Sequence, residues 1–200
     1  GVAARQDVQR LRARSSAIVT GSGTVLYDNP SLTVRPDELG ESLQSVAADI
    51  ARRQPIRVVV SSQAEFSSEL NIFQSSGDVI LATAPNAMLS DALQANARIS
   101  HWPLSLNECG RPDLGALLDK LAAHGCNEVL VEAGAGLSGA FIEADLVDEI
   151  FIYMAPKLLG SRARPLFELP FDTMAEQRGL VLQEMCQLGQ DIRFIFHRIV

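Results

Sequence analysis

The sequence has few cysteines, fewer basic than acidic residues and no long apolar run. Its three cysteines, Cys109, Cys126 and Cys186, form neither a CxxC pair nor a cluster with histidine, which argues against a zinc site and a disulfide framework. No run approaches the roughly 18 apolar residues of a membrane span. The opening stretch GVAARQDVQRLRARS also has no apolar signal core. We therefore expect a soluble, cytoplasmic protein with reduced thiols and no metal.

The shortage of positive charge limits the possible partners. With 17 Lys and Arg against 24 Asp and Glu, the net charge is -7, which argues against nucleic-acid and membrane-surface partners. An anionic ligand would have to meet a local basic pocket. At 200 residues, 47% of them hydrophobic, the chain is expected to form one domain over 1–200.

Strand-like and helix-like stretches alternate along most of the chain. Strands are predicted at 17–20, 57–61, 78–83 and 128–132, the last as a central strand covered on both faces. Helices are predicted at 6–13, 42–53, 87–96 and 113–124, with Gly125 as a left-handed cap, and a loop at 21–36.

The last third has a different pattern. The stretches IFIYMAP, GLVLQEMCQLG and DIRFIFHRIV are strand-like, and Gly189-Gln190 is a plausible turn between the last two. The predicted fold is thus α/β, with a mainly parallel sheet flanked by helices and a C-terminal antiparallel hairpin.

The strongest local motif is GxGxxG, formed by Gly134, Gly136 and Gly139 between a predicted strand and a predicted helix. Glycines let backbone N–H groups approach a pyrophosphate, and the start of the helix favours its charge. The alternative is a tight turn whose glycines serve packing only. A Rossmann dehydrogenase fits poorly, because the next strand runs into Lys157 instead of an acid. That missing acid leaves room for a cofactor with an extra phosphate.

A second glycine-bearing loop, TGSGTVLYDNPSLTVR, follows the first predicted strand. Arg35 at its end, together with Arg12, is a candidate for the basic pocket, since guanidinium groups match phosphate oxygens. The alternative for Arg12 is an exposed helix face shared with Arg10 and Arg14. Glu132, at the end of a predicted strand, is a candidate partner for pyrimidine amide and amino groups, or a structural cap of the turn.

These residues resemble the reductase half of the bifunctional riboflavin-biosynthesis deaminase/reductase family. The matching stretches are DVQRLRA, TGSGTVLYDNPSLTVR, QPIRVVVSS, VLVEAGAGLSGAFIEADLVDEIFIYMAPKLLG and DIRFIFHR. They cover nearly the whole chain in the right order, and the fourth stretch is the most specific.

The resemblance implies a dihydrofolate-reductase-like fold, a homodimer and an NADPH-dependent oxidoreductase. The implied reaction reduces 5-amino-6-(5-phosphoribosylamino)uracil to the ribitylamino product, by hydride transfer to C1 of the ribosyl group. The implied substrate contacts are Arg12, Leu32, Arg35 and Glu132, with Glu132 as the catalytic candidate. The implied cofactor contacts are Thr24, Asp28, Ser62, Gly134, Ala135, Gly136, Leu137, Ser138, Gly139 and Ala140.

Two parts of the family pattern are absent from the sequence. The family normally has a strand with a lysine and an SLDG-like turn before the helix that contains Arg12, and we expect that segment in the full protein. Whether a deaminase domain is fused upstream stays open. The HxE and PCxxC signature of the deaminase does not occur here. Two alternatives stay open: a related NADPH oxidoreductase acting on another substrate, and a non-catalytic binding or dimer-forming module.

Overall fold

The computed structural model describes residues 1–198, and its first part is built on a five-stranded parallel sheet. The strands are β1 (Ala17–Gly21), β2 (Ile56–Ser61), β3 (Val79–Thr83), β4 (Ile99–Pro103) and β5 (Val129–Val131). They lie in the order β4-β3-β2-β1-β5, and all four neighbouring pairs are parallel. The predicted parallel sheet is thus confirmed. Strand β4 was not anticipated.

Seven α-helices connect and cover the strands within the described residues. They are α1 (Val2–Arg14), α2 (Ser22–Asp28), α3 (Ala47–Arg52), α4 (Asn71–Gln74), α5 (Asp91–Gln94), α6 (Leu114–Ala123) and α7 (Ala135–Glu143). Short 3₁₀ turns occur at Pro36–Glu38, Glu41–Leu43 and Met174–Glu176. The helices expected at 6–13 and 113–124 are confirmed, and Gly125 follows the second with φ of 88°. Those expected at 42–53 and 87–96 are much shorter.

The sheet is buried on both faces, as its apolar strands require. Val58 faces one side, in a layer that contains Leu117 of α6 and Phe141 of α7. Val59 faces the other side, in a layer that contains Val25 of α2. Because successive strand residues point to opposite faces, one apolar strand supplies both layers.

Two local expectations are wrong. The segment 21–36 is not all loop, because its first part forms α2, which ends where Asn29 adopts a left-handed conformation. The segment 128–132 is not a central strand, because β5 is the last strand of the parallel sheet and its three residues are only half-buried. An apolar run indicates burial, but it does not specify how many neighbours a strand has.

The C-terminal strands form a separate antiparallel sheet. Strands β6 (Glu149–Met154), β7 (Leu180–Leu188) and β8 (Asp191–Arg198) lie in the order β6-β8-β7. The predicted hairpin of β7 and β8 is confirmed, with Gly189 at a φ of 68° in its turn. Residues 199–200 of the predicted DIRFIFHRIV strand lie outside the described residues. In residues 1–198, no helix is long and apolar enough to cross a membrane.

An ion-pair cluster ties this second sheet to α1. Asp7 accepts hydrogen bonds from the Tyr153 hydroxyl at 2.7 Å and from Nη1 of Arg193 at 2.6 Å. Burial, followed by the hydrogen bond to Asp7, raises the pKa of Tyr153 above its usual range, so this phenol stays protonated. The cluster holds the antiparallel sheet beside the helix that carries Arg12.

Candidate active site

The turns that follow β1 and β5 lie side by side. A Cβ atom placed on Gly134 would lie 3.9 Å from Oγ1 of Thr24, and one placed on Gly21 would lie 3.4 Å from Cδ2 of Leu137. The carboxyl ends of parallel strands meet at one edge of a sheet, and β1 and β5 are direct neighbours. Two loops that are more than a hundred residues apart in sequence therefore border one space.

That space is a cleft of about 510 Å³, within the usual size range of small-molecule sites. Most of the predicted cofactor contacts line it: Thr24, Asp28, Ser62, Gly134, Ala135, Gly136, Leu137 and Ala140. Residues that the sequence did not single out also line it, among them Tyr27, Ser61, Asn107, Arg111, Arg164 and Glu168. The cleft is therefore lined by the ends of β1, β2 and β5 and by the loop between β4 and α6.

The start of α7 gives this cleft a binding group for anions. Gly134 is the N-cap residue, and no side chain caps the helix. The first N–H groups of a helix have no partner within it, and the helix dipole places partial positive charge there. Ala135, Gly136 and Leu137 are both the first residues of α7 and part of the cleft lining. A phosphate or diphosphate fits this position chemically.

The glycines of the GxGxxG motif have different roles in the structure. Gly139 lies beneath the backbone of Glu168, and a Cβ there would overlap the Glu168 carbonyl oxygen. The Glu168 N–H also donates to the Ala135 carbonyl at 3.1 Å. Ser138 donates its hydroxyl to the Ala133 carbonyl at 3.2 Å. Neither Ser138 nor Gly139 lines the cleft, so the packing explanation applies to the third glycine.

Two of the four predicted substrate contacts, Arg12 and Glu132, form a pair beside the cleft, whereas Leu32 packs in the apolar core and Arg35 pairs with Glu38. Arg12 donates to both carboxylate oxygens of Glu132, and Nη1 of Arg12 donates to the Thr33 carbonyl at 3.1 Å. Thr33 lies between Leu32 and Arg35 in sequence. Arg12 is therefore not on an exposed helix face, since only 13% of its side chain is accessible.

Leu32 and Arg35 belong to the loop that contacts this pair. Leu32 is buried and has a φ of 50°, a left-handed conformation that is rare for its residue type. The Arg35 N–H donates to Gln9 of α1 at 2.9 Å, which fixes the backbone. The Arg35 side chain is about half-exposed and pairs with Glu38 at 2.8 Å. Its guanidinium thus lies at the surface, where an incoming anion can compete with Glu38.

The two sites are joined through the end of β5. The Glu132 N–H donates to the Val19 carbonyl at 2.9 Å, which extends the pairing of β5 with β1 by one residue. Gly134, two residues later, begins the turn into α7. A ligand in the cleft and a ligand at the Arg12–Glu132 pair would therefore lie next to each other. Across residues 1–198, no group of His, Cys, Asp and Glu side chains could hold a metal ion.

Sequence reasoning missed Arg111, Arg164 and Glu168 for identifiable reasons. Arg111 lies in the turn-rich NECGRPD segment, where composition predicts a loop but not its location in the fold. Arg164 and Glu168 follow Gly160, outside the stretch that carried the family resemblance. Only the packing of this segment on α7 brings them to the cleft.

Comparison with known proteins identifies the family. The model of the RibD C-terminal domain matches residues 1–194. The chain belongs to the RibD C-terminal domain family. The riboflavin biosynthesis protein RibD of Escherichia coli is 39% identical over 196 residues, which are 94% of this chain and 50% of that protein. The 5-amino-6-(5-phosphoribosylamino)uracil reductase of Buchnera aphidicola subsp. Acyrthosiphon pisum is 35% identical over 200 residues, 96% of this chain and 91% of that protein.

The solved structures agree with this assignment to the RibD C-terminal domain family. Acinetobacter baumannii RibD superimposes with a TM-score of 0.84 at 33% identity, over 100% of this chain and 51% of that one. This chain thus spans about half the length of the RibD proteins that it matches. The expected dihydrofolate-reductase-like fold is confirmed.

Proposed function

We propose that this chain is the NADPH-dependent reductase domain that converts 5-amino-6-(5-phosphoribosylamino)uracil to 5-amino-6-(5-phosphoribitylamino)uracil in riboflavin biosynthesis, in the cytoplasm. Family membership and the Buchnera relative of nearly equal length support the reaction. The observation that carries the proposal is the meeting of two glycine-bearing turns at one cleft, next to a pair of charged residues. That layout suits an enzyme that holds two reactants in line.

The residues of the cleft fit NADPH. The uncapped start of α7 can accept the diphosphate, and Gly134 carries no Cβ that would fill the approach. Beside Gly136 lies the Glu168 carboxylate, which has to move away for an anion to bind there. We assign Thr24, Asp28 and Ser62 to polar contacts with the rest of the cofactor. When bound, NADPH supplies the hydride, so the protein needs neither a nucleophilic side chain nor a metal. Ser138 and Gly139 contribute by shaping α7 and its packing.

We assign Arg12, Leu32, Arg35 and Glu132 to the substrate. The half-exposed guanidinium of Arg35 is placed to bind the ribose phosphate, in competition with Glu38. Glu132 accepts two hydrogen bonds from Arg12, which fixes its carboxylate. Each carboxylate oxygen has further lone pairs that can accept hydrogen bonds from the amide and amino groups of a pyrimidine. The catalytic role proposed for Glu132 is thus to orient the ring beside the cleft.

The open edge of β5 supports a further strand in the full protein. β5 pairs with β1 on one side only among residues 1–198, and its three residues are half-buried. An unpaired edge exposes backbone N–H and C=O groups. We propose that a strand N-terminal to α1 pairs there, and that a deaminase domain accounts for part of the additional length of the RibD relatives. A chain extended by that strand should resist denaturant better than this one.

We also propose that the protein is a homodimer. β7 is one of the two outer strands of the antiparallel sheet and carries four exposed apolar side chains: Leu180, Val181, Leu182 and Met185. A second copy of the chain would cover this edge and its apolar side chains. Light scattering coupled to gel filtration measures the mass. A monomer at all concentrations would contradict the proposal.

Titration of the protein with NADPH and NADH, with and without the ribosylaminouracil phosphate, tests the proposed reaction. We expect NADPH to bind more tightly than NADH, and NADPH oxidation only when the substrate is present. Mass spectrometry of the product should show the gain of two hydrogens. A preference for NADH, or binding of neither nucleotide, would refute the cofactor assignment. If the protein bound NADPH but did not reduce the ribosylaminouracil phosphate, its substrate would be a different compound.

A further inference from the structure

We propose that Arg111 binds the phosphate on the 2′ position of the adenosine ribose and thereby sets the preference for NADPH over NADH. The inference rests on the proposed function, because it assumes a nicotinamide dinucleotide in the cleft. NADPH and NADH differ only by this phosphate. A cation within the part of the cleft that the adenosine occupies would distinguish them, because it can pair with the charge that only NADPH carries there.

The strand order indicates which end of the cleft that is. The carboxyl ends of β5, β1 and β2 follow one another along the edge of the sheet. The Arg12–Glu132 pair lies at the β5 end, which places the substrate, and hence the nicotinamide, there. With the diphosphate at the start of α7, the adenosine half extends past β1 towards β2. Strands are about 4.8 Å apart, so β2 lies roughly 10 Å from β5.

The end of β2 supplies hydroxyl groups but no cation. Ser61 and Ser62 line the cleft at this point. Arg111 lines the same cleft from the loop between β4 and α6. A ribose phosphate at this end would therefore meet two serine side chains and one guanidinium. This combination is common at phosphate sites, because hydroxyl groups and a guanidinium all donate hydrogen bonds to phosphate oxygens.

The local structure holds Arg111 in place while leaving its side chain available. Its backbone N–H donates to Oδ1 of Asn107 at 3.0 Å, and its carbonyl accepts from the Asn107 N–H at 2.8 Å. The bridge between Leu106 and Pro112 closes this small loop. Within residues 1–198, the Arg111 side chain makes no ion pair or hydrogen bond. The guanidinium is thus exposed, unneutralised and attached to an ordered backbone.

The other cation of the cleft has a different environment. The guanidinium carbon of Arg164 lies 5.0 Å from the centre of the Tyr27 ring, over its face. Tyr27 lies in α2 and Arg164 lies in the segment after β6, rather than at the end of β2. We assign this stack to a contact that NADPH and NADH share, such as a flat base. Arg164 should therefore affect both nucleotides alike.

The test compares Arg111→Gln with the unmodified protein by calorimetric titration with NADPH, NADH, adenosine 2′,5′-bisphosphate and adenosine 5′-monophosphate. Loss of a charged hydrogen bond should raise the Kd for NADPH and for the bisphosphate about 10-fold or more. The Kd for NADH and for the monophosphate should change less than about 2-fold, which is within the effect of one exposed charge. Arg111→Lys should restore part of the loss. Arg53→Gln, an exposed arginine outside the cleft, is the matched control and should change nothing.

The outcomes separate this inference from the function on which it rests. If the unmodified protein prefers NADPH and Arg111→Gln keeps that preference, the role of Arg111 is refuted and the reductase proposal stands. If Arg111→Gln weakened the binding of NADPH and NADH equally, the role of Arg111 would also be refuted. Arg111 would then contact a part of the nucleotide that NADPH and NADH share. If the unmodified protein binds neither nucleotide, both proposals fail. Circular dichroism confirms that each variant is folded.

Discussion

Arg12 and Glu132, 120 residues apart in the chain, form a two-point ion pair in which both N–O distances are 2.7 Å. Their side chains are 13% and 22% accessible, so neither is well solvated. The pair joins the C-terminal end of α1 to the end of β5, at the point where the cleft and the proposed substrate site meet. We therefore propose both a structural and a functional role for it, which experiments can separate.

A double-mutant cycle with Arg12→Ala and Glu132→Ala measures the structural role. Removal of one partner leaves the other partly buried without its ion pair. Each single variant should lose about 1–3 kcal/mol of unfolding free energy, less than a fully buried pair would. The double variant should lose less than the sum of the two, with a coupling of about 1 kcal/mol or more in urea denaturation. Losses that simply add would show that the pair does not contribute to stability.

Arg35→Ala tests the phosphate contact. Because the Arg35–Glu38 pair is half-exposed, its loss should cost at most about 1 kcal/mol of stability. Binding of the ribosylaminouracil phosphate should weaken by about 1–3 kcal/mol, as expected for a lost charged hydrogen bond. Glu38→Gln is the matched variant: it frees Arg35, so substrate binding should be equal or tighter. Unchanged substrate affinity of Arg35→Ala would contradict the assignment.

Gly139→Ala tests the close packing of the Glu168 segment on α7. An added methyl group would overlap the Glu168 backbone, so the segment must move. We expect a loss of about 1–3 kcal/mol in unfolding free energy, typical of overpacking. Gly23→Ala is the control, because a Cβ there meets nothing within 4 Å and alanine favours the helix. That variant should gain up to about 1 kcal/mol. If Gly139→Ala were equally stable, the contact would not constrain the fold.

Arg57, on β2, is fully buried and binds only backbone groups. Its guanidinium donates to four carbonyl oxygens, those of Ser31, Ile72, Ser75 and Gly77. Burial lowers the pKa of Arg57 to about 10, so the group remains charged at neutral pH. This side chain satisfies carbonyls of the loop after α2, of α4 and of the turn that follows α4, and it holds these segments to the sheet.

Arg57→Met should therefore cost about 3 kcal/mol or more, because four carbonyl groups lose their donor. Arg57→Lys should recover only part of the lost stability, since an ammonium group has three donors and lacks the planar geometry of a guanidinium. Arg52→Met removes an exposed ion pair with Asp49 on α3 and should stay within about 0.5 kcal/mol of the parent. Chemical denaturation measures all three. A small effect at Arg57 would mean that water replaces its hydrogen bonds.

We expect His101 to make the stability of the protein depend on pH. Its Nε2 lies 2.8 Å from the Thr83 hydroxyl, and burial lowers the pKa of His101 below its ordinary 6.5. The folded state thus favours the neutral imidazole. This contribution is fully present above about pH 6.5 and is lost as the pH falls through the lowered pKa of the folded state. His101→Gln should flatten the fall in melting temperature between about pH 7 and pH 5. An identical pH profile would rule out His101 as the source.

The kinds of secondary structure were largely predictable from the sequence, because their signals are local. Apolar runs such as RVVVS and DVILAT identified β2 and β3, and Gly125 marked the end of α6. Shorter helices were missed or predicted too long. A helix of four to seven residues shows too little apolar periodicity to be recognised, and nearby glycine and asparagine residues indicate a loop instead. Eight of the ten cofactor contacts that the family resemblance implies line the cleft.

By itself, the sequence determined most of the segments that become strands, though not β4, and that a glycine-bearing turn opens α7. Only the tertiary structure decided that β5 is an edge strand, that Arg12 is paired with Glu132 instead of solvent, and that Arg111 reaches the cleft. The physical reason is the distance along the chain over which each effect acts. Backbone conformation depends on neighbouring residues, whereas these contacts join residues that are far apart in the sequence. Such contacts form only when the core fixes the order of the strands.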